Sequence, residues 1–338
     1  MSHELIGISV LWCFLFGYII VASIDFGAGF FQAYSVLVKK EHIISNIIKR
    51  YLSPVWEVTN VFLVFFFVGI VGFFPSTAYY YGTILLVPAS IAIILLAIRG
   101  SYYAFTTYGS LKSNMWTYLY GFSGLFIPAS LSIVLTISEG GFVLQTNSSI
   151  ELDYLNLFLS PLTWSIVILS LTSVLYISAV FLTWYASKAK DEEATELMRK
   201  YALIWAIPAI LTAAGIIVEL RLHNIHHYER MIDLWWMFAI SFLLFLLTIR
   251  LLWLRRSYGL AFIVLTLQFF IAFFAYGVSH YPYLLYPYLT ITEGFTSDAM
   301  ATALIIAFIA GFCLLIPSLF LLFKLFLFNK AYLEGKTK

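Results

Sequence analysis

Three ionisable residues lie within or at the ends of long apolar runs, where an isolated charge is costly and often functional. Asp25 is the deepest of them, and it precedes Lys39 by roughly 21 Å at the rise of an α-helix. Glu57 opens a second apolar run, and Arg99 ends a third. The first two runs are expected to form a hairpin and the third to return to the same side, so the three charges should converge near one membrane surface.

Two kinds of role fit these charges. A carboxylate in a medium of low dielectric constant has a shiftable proton affinity, so Asp25 and Glu57 could take up a proton and pass it on through Thr59 and Asn60. The alternative is structural, with Glu57 favouring the first turn of a helix and Asp25 pairing with Arg99 to hold three helices together. The residue pattern leaves both roles open.

Glycines accompany the two opposite charges. Gly27 and Gly29 follow Asp25 closely, and Gly100 follows Arg99. Small residues allow a second helix to approach the backbone in a membrane. We therefore expect close packing at these three positions.

The histidines bear on whether the chain holds a haem or a metal ion. All six lie in predicted loops or at predicted helix ends, so a haem held by two histidines in the bilayer core is not expected: His3, His42, His223, His226, His227 and His280. His223 and His227 have the spacing of a metal-binding helical pair, but an exposed loop is the alternative that we favour. Cys13 and Cys313 lie in separate apolar runs and indicate no cysteine-based metal site.

The composition shows which elements must position these residues. Of the 338 residues, 62% are hydrophobic and only 11% are charged, so the chain cannot cover its own surface in water. No basic run interleaved with aromatic residues is present, which excludes nucleic acid as a partner. Nine runs are long enough to span a bilayer: about 7–34, 57–75, 79–98, 117–138, 162–186, 201–220, 234–254, 257–279 and 300–326.

The basic residues predict the orientation of these runs. With nine crossings, all of the 19 Lys and Arg residues except Arg221 and Arg230 fall on one side. Cytoplasmic loops retain basic residues, so we expect the amino terminus outside and the carboxyl terminus in the cytoplasm. The connections are too short for a soluble domain, so residues 1–338 are predicted to form a single transmembrane domain in the cell membrane.

Several motifs together resemble one known family, subunit II of the cytochrome bd-type quinol oxidases. The run from Asp25 to Gly29 is similar to its Asp-x-Gly-x-Gly signature, and Pro54 to Glu57 is similar to its Pro-x-Trp-Asp entry to helix 2. Arg99 with Gly100 resembles its arginine-containing turn. The Tyr- and Pro-rich segment 281–288 also fits, although by itself it is typical of an aromatic belt, with a docking or quinone-proximal surface as the alternative. Three positions depart from the family pattern: Glu57 in place of Asp, Phe62 in place of Trp, and Ser23-Ile24 before Asp25.

The resemblance implies an all-α polytopic membrane protein with two four-helix bundles and a peripheral ninth helix. It implies that this chain holds no cofactor itself and is the partner of a subunit I that carries haem b and haem d, or b-type haems only. That complex would oxidise quinol and reduce oxygen to water, with small accessory subunits as further partners. In the family, the carboxylates matching Asp25 and Glu57 are placed on cytoplasmic proton routes, with Arg99 as a charge partner.

Two other classes of protein share the composition. A secondary transporter should show interrupted helices in matched positions and a polar site near the midplane, and the second half of the chain offers little beyond Glu219. A purely structural assembly subunit would differ from an oxidase subunit with a proton route only in the role of Asp25 and Glu57.

Overall fold

The computed structural model describes residues 2–108, 114–145, 150–322 and 324–325, without the side chains of 45–46, 49–58, 103, 106–108, 145 and 322. Its helices are α1 (His3–Leu37), α2 (Glu41–Phe73), α3 (Ser76–Ile84), α4 (Leu86–Tyr108), α5 (Asn114–Ser138), α6 (Tyr154–Leu159), α7 (Pro161–Lys188), α8 (Glu192–His223), α9 (Ile225–Asp233), α10 (Trp235–Trp253), α11 (Tyr258–His280), α12 (Ile291–Gly294) and α13 (Asp298–Leu322). Four short strands form two antiparallel hairpins, β1 (Val143–Gln145) with β2 (Ile150–Leu152) and β3 (Tyr283–Leu285) with β4 (Leu289–Thr290).

The predicted class, an all-helical polytopic membrane protein, is confirmed. Seven of the described helices are long and apolar enough to cross a membrane: α1, α5, α7, α8, α10, α11 and α13. The bent pair α3 and α4 would make an eighth span if counted as one. The number of nine spans, and their arrangement as two four-helix bundles with a peripheral helix, stay predictions.

Helices α2 and α8 begin earlier than the apolar runs predict. The run expected at 57–75 belongs to α2, which starts at Glu41, so the backbone of Glu57 lies inside a helix and not in its first turn. The added turns are amphipathic, since Ile44, Ile47 and Ile48 are buried at helical spacing. Likewise α8 starts at Glu192, and the side chain of Asp191 caps it by accepting from the backbone N–H of Ala194.

The run expected at 79–98 is not one straight helix. Helix α3 ends at Ile84, and α4 starts at Leu86 with a bend of 79° between them. Pro88 lies in the first turn of α4, where a residue without a backbone N–H is tolerated because that group would have no helical partner. The sequence pattern missed the break because both halves are apolar.

Helix α1 runs through the core of the bundle. It packs along α2, α5 and α7, while α7 packs along α8 and α10 along α11. The largest buried cluster draws on α1, α2, α4, α5, α7, α8, α10 and α11 and includes Ile24, Tyr176 and Leu265. Residues near the middle of α1, including Asp25, are therefore surrounded by protein.

Both strand hairpins lie at the same end of the bundle, which we call the hairpin end. Phe142, Leu152 and Leu285 belong to one buried cluster there, together with Ile84 and Ile137 from the ends of α3 and α5. The backbone N–H of Tyr286 donates to Ser138 O over 3.0 Å, and the hydroxyl of Tyr81 donates to Leu284 O over 2.6 Å. The Tyr- and Pro-rich segment 281–288 is therefore a folded cap on α3 and α5.

Candidate functional site

A buried ion pair joins three helices in the half of the bundle away from the hairpins. Arg99 of α4 donates from Nε to Oδ2 of Asp25 in α1 over 2.9 Å. Its Nη1 donates to the backbone oxygen of Tyr120 in α5 over 2.9 Å, and its Nη2 donates to the backbone oxygen of Asp25 over 2.5 Å. The sequence-predicted pairing of Asp25 with Arg99 is present in the structure.

Tyr120 completes this cluster. Its hydroxyl donates to Oδ1 of Asp25 over 2.9 Å, so both carboxylate oxygens have a donor. The ring of Tyr120 also lies 3.7 Å from the guanidinium carbon of Arg99, within the range of a cation–π contact. Asp25 is 1% exposed and Arg99 is fully buried, so the two charges depend on each other and on Tyr120 for solvation.

The glycines beside Asp25 leave no room for side chains. A Cβ on Gly29 would lie 2.8 Å from the ring of Tyr120 and 3.0 Å from Nη1 of Arg99. One on Gly27 would collide with Ser178 of α7, whose hydroxyl donates to Ile24 O over 3.0 Å. These two positions let α5 and α7 approach α1. Close packing at Gly100, which lies in α4, stays a prediction.

The remaining predicted site residues lie on α2. Thr59 is buried and Asn60 is half-buried there. The side chain of Glu57 lies outside the described part of the chain, so its convergence with Asp25 and Arg99 stays a prediction.

A second polar cluster, which the sequence reasoning missed, lies at the hairpin end. Glu139 follows the last residue of α5, and its carboxylate contacts Nδ1 of His227 in α9 at 2.9 and 3.0 Å. The hydroxyl of Tyr276 in α11 donates to the same carboxylate, as does Nδ2 of Asn224 over 3.1 Å. His280 at the end of α11 places Nδ1 3.7 Å from Oε1 of Glu139.

The charge state of Glu139 follows from these neighbours. Burial raises the pKa of its carboxyl group, but the hydrogen bond from His227, the nearby imidazoles of His280 and His227, and the hydroxyl of Tyr276 together lower it by more. The net result is a pKa below the usual value, so Glu139 is held as a carboxylate.

The exposed loop expected around His227 is wrong, since His227 is buried in α9. The alternative, His223 and His227 paired on one helix, is also wrong, because α8 ends at His223 and Asn224 caps the new helix α9. His223 instead contacts Gly140 O through Nε2 at 2.9 Å. Asn224 was the available signal, because an asparagine between polar residues favours a helix start. Nothing in the pattern indicated that Glu139 and His280, from two other connections, meet His227.

Comparison with known proteins agrees with this architecture. Residues 3–326 match the family model described as cytochrome bd terminal oxidase subunit II. The chain is 36% identical over 343 aligned positions to a Bacillus subtilis (strain 168) protein provisionally named cytochrome bd menaquinol oxidase subunit II, covering 98% of each. It also matches a chain of the bd oxidase from Geobacillus thermodenitrificans at 67% identity and a TM-score of 0.85, covering 98% of this chain and 100% of that one.

These matches and the helical fold define a membrane subunit of a respiratory oxidoreductase. The chain belongs to the family of subunit II of the cytochrome bd terminal oxidases, and it is part of a quinol oxidase complex. The family that the sequence resembles is therefore confirmed, and the transporter alternative is not favoured.

Proposed function

We propose that this chain is the haem-free partner of a haem-bearing subunit I, and that the pair oxidises quinol and reduces oxygen to water. The positions of the histidines support the proposal that the haems are held by subunit I and not by this chain. His3, His42, His223 and His280 lie at helix ends, and the other two lie in the short helix α9. No two of them face each other across the middle of the apolar bundle, so they do not fit the axial ligation of a haem there. The haem b and haem d chemistry, or b-type haems only, would then belong to the partner.

We further propose that Asp25, Glu57 and Asn60 form part of a proton-uptake route from the cytoplasm. The observation that carries this proposal is the buried carboxylate of Asp25, which is in contact with a hydroxyl group deep in an apolar bundle. Buried carboxylates in membranes commonly mark proton relays. In this route Glu57 takes up the proton, Asn60 passes it on, and Asp25 with Tyr120 receives it, while Arg99 is the charge partner of Asp25.

A structural role for Asp25 and Arg99 is supported by a different observation. Arg99 donates to groups on α1 and α5 through all three guanidinium nitrogens, and both oxygens of Asp25 are hydrogen-bonded. Such a complete set of contacts is what a helix clamp requires. The two roles predict different behaviour when the charges are removed together.

The test compares three variants of the complete oxidase complex in proteoliposomes. Asp25→Asn and the double variant Asp25→Asn/Arg99→Gln are measured against wild type for oxygen consumption and for proton uptake from the cytoplasmic side. If Asp25 carries protons, the double variant assembles but remains as impaired in proton uptake as the single variant. If the pair is only a clamp, the double variant recovers both readouts together. Asp298→Asn, which removes a largely exposed carboxylate, is the control.

The orientation of the chain in the cell membrane, with the amino terminus outside and the carboxyl terminus cytoplasmic, is also proposed. The connections at the end away from the hairpins support it, since they carry Lys39, Lys190 and Arg255. Single cysteines introduced at Lys190 and, at the hairpin end, at Glu151 provide the test. A membrane-impermeant thiol reagent applied to intact cells should label the second only, and labelling of the first instead would reverse the orientation.

A further inference from the structure

The second polar cluster has the composition of a metal site. It brings together one carboxylate, from Glu139, and two imidazoles, from His227 and His280, with ligand atoms that all lie within 4.8 Å of one another. Glu139 and His227 are buried, and the side chain of His280 is 12% exposed. The three residues come from the end of α5, from α9 and from the end of α11, so they meet only in the folded chain.

The hydrogen bonds around His227 show that this cluster needs a positive charge. The hydroxyl of Ser279 donates its one proton to Tyr276 O over 2.8 Å. It must therefore accept from Nε2 of His227, which lies 2.7 Å away. With the proton of a neutral imidazole on Nε2, Nδ1 of His227 is a bare acceptor facing the carboxylate of Glu139. Two acceptors at hydrogen-bonding distance require a cation between them, either one proton, carried by His227 or Glu139, or a metal ion.

The position of His280 favours a metal ion over a proton. Its Nδ1 lies 3.7 Å from Oε1 of Glu139, too far for a hydrogen bond. Its Nε2 is buried and has no hydrogen-bond partner among the described residues. One further proton on His227 would satisfy Glu139 but would leave Nδ1 of His280 beyond hydrogen-bonding distance of that carboxylate. A single ion between the three side chains engages all of them.

We propose that Glu139, His227 and His280 bind a divalent transition-metal ion of the zinc class. Two imidazoles and a carboxylate are a ligand set that zinc uses, with a fourth position for water. Ligand atoms about 2.1 Å from a tetrahedral ion are separated by about 3.4 Å. The contacts from Glu139, 2.9 Å to His227 and 3.7 Å to His280, bracket that separation, and all the ligand atoms lie within 4.8 Å of one another, so the three side chains would have to close around the ion.

Neighbouring side chains already orient the proposed ligands. Ser279 accepts from Nε2 of His227, which fixes the tautomer that leaves Nδ1 free for a metal. Asn224 and Tyr276 donate to the carboxylate of Glu139 and hold its plane. The ion would tie the end of α5 to α9 and α11, and this role is independent of proton transfer at Asp25.

The experiment uses the complete oxidase complex, stripped of metal with a chelator and then dialysed against increasing concentrations of Zn²⁺. Bound zinc is counted by elemental analysis per copy of this chain. Wild type is expected to bind one more high-affinity zinc ion than Glu139→Gln or His280→Gln. His226→Gln is the matched control, since it removes an exposed histidine next to His227 in the same helix, and it should bind zinc as wild type does.

Two further measurements keep the result decisive if a ligand variant fails to assemble. Ser279→Ala retains all three ligands and is expected to bind zinc roughly 10- to 100-fold more weakly, as loss of an orienting hydrogen bond does at other metal sites. Added zinc should also raise the thermal unfolding midpoint of stripped wild-type complex, and should do so less for Ser279→Ala at the same concentration. Equal zinc content in wild type, Glu139→Gln and Ser279→Ala would overturn the proposal. A wild type that binds no zinc and shows no thermal shift would overturn it as well, and a proton on His227 would then hold the cluster.

Discussion

The buried Asp25–Arg99 pair predicts a strong energetic coupling between α1 and α4. Removing one member of a buried ion pair leaves the other charge without compensation, which typically costs about 3–5 kcal/mol. Arg99 is fully buried and also donates to two backbone oxygens, so Arg99→Gln should lie at the upper end of that range. Asp25→Asn should cost somewhat less, because its amide oxygen can still accept from Tyr120.

The double variant Asp25→Asn/Arg99→Gln leaves no isolated charge in the core. It should therefore be less destabilised than the sum of the two single variants by at least about 2 kcal/mol, within the coupling range of contacting residues. The assay is reversible denaturation of the detergent-solubilised complex, with helix content followed against denaturant concentration. Asp298→Asn, at a largely exposed pair with His3, should change the free energy of unfolding by no more than about 0.5 kcal/mol.

A coupling energy below about 0.5 kcal/mol would refute this reasoning, because additive effects mean that the two charges do not solvate each other. Equal destabilisation by Asp25→Asn and Asp298→Asn would refute it independently, since the burial of Asp25 would then carry no energetic cost.

Two other substitutions should change stability in opposite directions. Gly29→Ala should destabilise the complex by about 1–3 kcal/mol because its Cβ overlaps the ring of Tyr120. Gly215→Ala, which has open space around it, should stabilise α8 by about 0.5–1 kcal/mol. Thermal unfolding of the two variants measures both effects. Lys39, two residues after the end of α1, has a φ of 56°, so Lys39→Gly should relieve about 1 kcal/mol of backbone strain. Lys40→Gly, at a φ of −108°, should not stabilise the protein in the same assay.

The parts of the fold that the sequence predicted well are those set by long apolar runs. The run at 162–186 corresponds to α7, with Pro161 in its first position after Ser160, and the run at 257–279 corresponds to α11. The helical extension of α2 back to Glu41 was missed, because hydropathy measures how apolar a segment is and not whether its backbone forms helical hydrogen bonds. The break at Leu85 was missed for the converse reason, since the helices on both sides of it are apolar.

The two polar clusters differed in how visible they were from the sequence. Asp25 and Arg99 stood out because each interrupts or ends an apolar run, and opposite charges in a bilayer have few ways to avoid pairing. Glu139, His227 and His280 each lie outside the apolar runs, where polar residues are ordinary. Their burial comes from the folding of the hairpin end over α5, which is a long-range event without a local pattern.

The two clusters differ in the source of their positive charge, and helix α5 connects them. Tyr120 and Glu139 lie roughly 28 Å apart along the axis of α5, one near each end. At the first end the chain supplies both the anion, Asp25, and a permanent cation, Arg99, so the cluster is complete without any ligand. At the second end the chain supplies an anion and two groups that are cations only when protonated. A buried carboxylate can be stabilised by a permanent cation or by a reversibly bound one. Only in the second case does its stabilisation depend on the concentration of the bound ion. Clamping of α5 should therefore be constant at the Asp25 end and should depend on bound zinc at the hairpin end.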